Sequence, residues 1–230
     1  MKNRIFFIVF CFIIIDAFFV VGFLVIRDSI AFNSLKSEVN YLSTLDITKD
    51  RFNTKIKSSG DYASVESAIK EYLDNYALEI RDISEMVTDS NVESMLSYDN
   101  YQKDGPYFKK SILYLNDTKS DFNKKIDLLI SNLDDEYINN YIYNKTKDEF
   151  YVSIYKELMF DTSIRDVLLS TKKLLEETKV KMNNIYDTCL DTLNFLSTYN
   201  EEWKLEENEI RFANDELLNY YNSLIKNINS

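Results

Sequence analysis

Apolar positions recur every three or four residues along most of this chain, the spacing of one face of an α-helix. Tyr62, Val65, Ile69, Tyr72, Tyr76, Ile80, Ile83 and Val87 fall 3, 4, 3, 4, 4, 3 and 4 residues apart and predict one long amphipathic helix. Phe108, Ile112, Leu115, Phe122, Ile126, Leu129 and Leu133 predict a second. Ile164, Leu168, Thr171, Leu175, Thr178, Met182, Ile185, Cys189, Thr192 and Leu196 predict the longest, from about Asp161 to Thr198. Weaker patterns suggest a short helix from Asp46 or Thr48 through Lys57, an aromatic-heavy helix from Tyr137 to Phe160, and a last one carrying Trp203, Ile210, Ala213, Leu217, Tyr220, Leu224 and Ile228. Polar clusters separate these stretches: Ser58-Ser59-Gly60-Asp61, Thr88-Asp89-Ser90-Asn91, Lys103-Asp104-Gly105-Pro106 and Asp161-Thr162-Ser163.

The N-terminus follows a different rule. Ile5 to Ile26 is an almost unbroken run of Phe, Ile, Val and Leu, interrupted by one charge at Asp16. At about 1.5 Å per residue it reaches about 33 Å, enough for a hydrocarbon core of about 30 Å. Its apolar residues each favour insertion by about 0.3–0.6 kcal/mol near the centre, and together they outweigh the roughly 3 kcal/mol cost of Asp16. Lys2 and Arg4 precede the run, so charge bias puts the N-terminus in the cytoplasm and the body outside. The run is longer than the apolar core of a cleaved signal peptide, although Ser29-Ile30-Ala31 loosely mimics a cleavage site; a retained anchor is expected.

The expected organisation is a cytoplasmic tail at 1–4, a transmembrane helix at 5–26, a membrane-proximal helical extension at 27–60 and an extracytoplasmic helical bundle at 61–230. The fold class is all-α: an N-terminal transmembrane helix followed by an elongated antiparallel bundle of long amphipathic helices. Composition narrows the picture. Glycine occurs three times and proline once, which starves phosphate-cradling loops and tight β-turns of the residues they need. Histidine is absent, removing the commonest general base and metal ligand. The formal net charge of −11 argues against nucleic acid as a partner. Cys11 lies in the apolar run and Cys189 is alone in the body, so the body holds no disulfide of its own.

Gly60 to Ala77 (GDYASVESAIKEYLDNYA) and Asn100 to Leu133 (NYQKDGPYFKKSILYLNDTKSDFNKKIDLLISNL) resemble a group of single-pass, membrane-anchored helical proteins of low-GC Gram-positive bacteria. That group has no established activity. The resemblance implies location and architecture and transfers no site.

Candidate chemistry is sparse. No catalytic set, metal site or cofactor site is expected: Asp134-Asp135-Glu136 and Glu206-Glu207 lack the glycine-containing ladder of a calcium loop, and Cys189 falls on an apolar stripe as an inert thiol would. Tyr137, Tyr141 and Tyr143 present phenol rings on more than one helix face and are the expected binding surface. Asp16, a carboxyl at mid-bilayer, is the second candidate. The expected role is a membrane-anchored, non-catalytic interaction or scaffold protein, touching lipid through 5–26 and a protein partner through the body. Two alternatives stay open: a ligand-binding sensory module working through a partner, and an accessory subunit of an ion-driven membrane complex using Asp16.

Overall fold

The computed structural model describes residues 27–45, 53–207 and 209–228. The expected tail and span, with Asp16 and Cys11, lie outside them. Among the described residues no helix is long and apolar enough to cross a membrane.

The described chain is mostly helical. Helix α1 covers 27–42. It is followed by α2 (Tyr62–Val87), α3 (Ser90–Ser94), α4 (Tyr98–Asp104), α5 (Lys109–Ser131), α6 (Asp135–Tyr143), α7 (Glu149–Phe160) and α8 (Ser163–Thr198). A two-stranded hairpin, β1 (Trp203–Glu206) and β2 (Glu209–Phe212), precedes the last helix, α9 (Asp215–Ile228). The three strongest apolar stripes are inside: Val65, Ile69, Leu115, Phe122, Ile126 and Leu196 have no exposed surface.

Residues divide into two compact units. The first holds the described residues up to Ala77 together with Asp135–Val167. Here the irregular segment 53–58 is tied to α1 and α2 by a buried ion cluster. Lys70 Nζ lies 2.6 Å from Glu66 Oε1 and 2.8 Å from Glu38 Oε1, and donates to the Lys55 carbonyl at 2.6 Å. The Glu66 carboxylate also accepts from the amides of Lys57 and Ser58 and from the Ser58 hydroxyl. Lys57 reaches Glu38 Oε2 at 2.6 Å. Burial works against both carboxylates, yet bonds from Lys70 with Ser58 (Glu66) and from Lys57 with Lys70 (Glu38) outweigh it and hold both below the usual carboxylate range.

The second unit is Leu78–Asp134 with Leu168–Ser230. The loop before α5 brings Phe108 into the left-handed region at φ 50, and the Asp104 carboxylate accepts from the Ser111 amide at 2.8 Å to cap the new helix. Gly105 has no room for a side chain, because a Cβ there would run into the Tyr101 carbonyl. Helices α5 and α8 run antiparallel, shown by their polar rungs. Lys119 pairs with Asp187, Asn123 with Asn183, Asp127 with Lys179 and, just past the end of α5, Asp134 with Lys172. Each step up α5 is matched by an equal step back along α8. The Asn123 and Asn183 side chains exchange two bonds at 2.8 Å.

Three local expectations fail for identifiable reasons. The stretch Tyr137 to Phe160 is two helices, because Asp148 accepts from the Phe150 amide at 2.9 Å and restarts the chain. Residues 53–57 are not helical, since their amide and carbonyl groups serve Glu66 and Lys70 instead. Residues from Trp203 to Phe212 form a hairpin, not the start of the last helix: Trp203 pairs with Phe212 and Leu205 with Ile210, putting alternate apolar residues on one face.

Candidate functional site

The hairpin is held to α8 by a polar bond and to the start of α5 by a ring stack. The Trp203 indole nitrogen donates to the Leu196 carbonyl at 2.8 Å, and its ring stacks on Phe108 with centroids 6.0 Å apart. The backbone amide of Ala213 donates to the Glu202 carbonyl, closing the hairpin's open end. Asn214 then starts α9 by accepting from the Leu217 amide at 3.0 Å. This geometry lays α9 beside the end of α8. Tyr221 packs on Phe212 at 5.3 Å and its hydroxyl meets that of Tyr101 at 3.1 Å.

A groove of about 710 Å³ opens between the two helices, within the range of about 300–1,000 Å³ usual for ligand pockets. Asp191, Phe195 and Tyr199 line the α8 side, and Glu216, Leu217 and Tyr220 the α9 side. Phe195 forms the floor, its ring 5.0 Å from that of Tyr220 and 5.1 Å from that of Tyr199. Both tyrosines are open to solvent, at 43% and 53% exposure for Tyr199 and Tyr220. Among the described residues, no cationic side chain lines the groove and neither Asp191 nor Glu216 has an ion-pair partner. Such an arrangement offers flat aromatic faces beside two exposed carboxylates.

The tyrosines singled out from sequence belong to the first unit. Tyr137 and Tyr141 come together on α6, with hydroxyls 3.4 Å apart. The Tyr141 hydroxyl also accepts from Asn75 Nδ2 at 3.2 Å, and its ring meets Tyr72 edge-on at 5.3 Å. Tyr72 and Tyr155 are buried, and burial raises both phenol pKa values. The Tyr155 hydroxyl donates to the Ile138 carbonyl at 2.7 Å. Tyr137 and Tyr141 are therefore half-buried members of an internal tyrosine cluster. Tyr143 stands apart from them: Lys156 lies over its ring at 5.4 Å and donates to its hydroxyl at 3.0 Å, with Lys147 over the same ring at 5.9 Å.

Cys189 is buried on α8, and burial, with Glu93 nearby, pushes its thiol up to about 11. Among the described residues no group of His, Cys, Asp and Glu could hold a metal ion. The groove is not readable from the apolar stripes of the sequence, because Tyr199 and Glu216 fall outside them. The alternation Trp-Lys-Leu-Glu and Glu-Ile-Arg-Phe at 203–206 and 209–212 was the signal that would have exposed the hairpin and, through it, the groove. Comparison of the chain with protein families, with curated proteins and with solved structures finds no match.

Proposed function

We propose that this protein is a non-catalytic helical interaction module, anchored in a cell membrane by residues 5–26 with its body outside, and that it docks a protein partner around α9. One observation carries the reading. The stripes of α2, α5 and α8 are nearly all buried, whereas Leu217, Tyr221, Leu224 and Ile225 of α9 are only half-buried and Leu218 and Tyr220 are exposed. A helix that leaves this much apolar and aromatic surface open beside an aromatic groove has the makings of an interface core. The carboxylates of Asp191 and Glu216, without an ion-pair partner among the described residues, give that surface a charge preference as well.

Chemical cross-linking of the full chain in native membranes, followed by pull-down, tests the docking. A specific protein joined to the wild-type chain and lost when Tyr220→Ala and Leu217→Ala are combined supports it; a chain that stays a solitary monomer overturns it. Fractionation tests the anchor. The full chain should remain in the membrane pellet through an alkaline carbonate wash, and a chain lacking 5–26 should leave it; full release of the intact chain overturns anchoring.

A further inference from the structure

We propose that the groove between the end of α8 and α9 takes a basic segment of the partner polypeptide, with a lysine or arginine side chain laid across Tyr199 and Tyr220 and its charge set between Asp191 and Glu216. The inference rests on the docking role above and names the chemistry of what docks. Three features converge on a cation. The two carboxylates come from opposite walls and have no ion-pair partner among the described residues. The exposed faces of Tyr199 and Tyr220 carry the negative side of the ring quadrupole, which attracts ammonium and guanidinium groups within about 6 Å. Phe195 closes the floor at 8% exposure, so the aliphatic stem of such a side chain has apolar surface to lie on while its head stays with the carboxylates.

The occupant follows from charge. A second copy of this chain is disfavoured because its formal net charge is −11. An acidic peptide would meet Asp191 and Glu216 unneutralised, and a wholly apolar one would leave both carboxylates desolvated without a partner. A segment with basic residues flanked by small or apolar ones satisfies both the aromatic floor and the carboxylate walls.

The full chain in nanodiscs of zwitterionic lipid is titrated with two fluorescein-labelled peptides, one with lysines spaced by alanine and serine and one with glutamates in their place, against empty nanodiscs as blank. Saturable binding of the lysine peptide is expected, weakened about tenfold by Asp191→Asn with Glu216→Gln and again by Tyr199→Ala with Tyr220→Ala, from the combined loss of charge pairing and cation–π contact. The control pair Asp82→Asn and Glu85→Gln, which removes equal charge elsewhere in the same unit, should leave binding unchanged. Equal binding of the glutamate peptide, or equal loss in the control, overturns the inference. A photo-cross-linker replacing Leu218 in native membranes separates the two levels. A basic partner segment joined there supports the inference. An acidic or neutral segment, or a second copy of the chain, overturns it while docking on α9 stands; no joined protein overturns both.

Discussion

Lys70 shows how far one residue's role can depart from its appearance in sequence. Glu66 and Lys70 are spaced as an ordinary surface pair on a helix, yet Lys70 is 1% exposed and Glu66 wholly buried. What makes them an internal cluster is Glu38, distant in sequence and invisible to any local pattern. Lys70→Met removes the cation these two buried carboxylates share, leaving Glu66 stranded without an ion-pair partner among the described residues and Glu38 with Lys57 alone. The change should cost about 3–5 kcal/mol in denaturant unfolding. The pH dependence has a definite sign. Both carboxylates are lowered in the folded state, so their stabilisation is complete above the unfolded carboxylate pKa of about 4.3 and is lost as pH falls through their folded values. Wild-type unfolding midpoints should therefore fall on acidification below about pH 4.3, while Lys70→Met should be relieved by the same acid, because protonation neutralises the carboxylates left behind. Cys189 was legible: a thiol on an apolar stripe is buried, and its pKa of about 11 makes it a poor nucleophile at neutral pH. In a Cys11→Ser background, iodoacetamide should label it only as fast as the protein unfolds; immediate labelling of the native protein would contradict this.

At the scale of elements, the long helices were readable because their stripes repeat for many turns, and helical periodicity needs length to be distinguished from chance. The pairing of α5 with α8 was readable only in outline. Its register is written in Lys119, Asn123, Asp127 and Asp134, which from sequence alone look like a solvated face. The hairpin escaped because its turn lacks glycine. Glu207 occupies the left-handed region at φ 51, a conformation that costs a residue with a Cβ about 1–2 kcal/mol. Glu207→Gly should thus stabilise the protein by about 1 kcal/mol, less whatever the exposed contact with Arg211 contributed. Trp203 is the only tryptophan, so its fluorescence follows the hairpin directly; a lower unfolding midpoint for the variant would show that Glu207 is unstrained.

At the scale of the whole molecule, composition and periodicity pointed to a helical body, and the described chain is mostly helical. The division into units was not legible, because no glycine- or proline-rich linker marks it: the chain passes between units inside α2, after Asp134 and inside α8. Truncation should expose this. A chain ending at Asp134 contains only part of each unit and should show no cooperative unfolding transition, whereas a chain with a true boundary there would keep one. Synthesis meets the same constraint. The ribosome releases residues up to Ala77, then a stretch belonging to the other unit, and only with Val167 can the first body close. Until then both carry open apolar faces in the nascent chain, the condition under which chaperones are recruited and aggregation competes with folding.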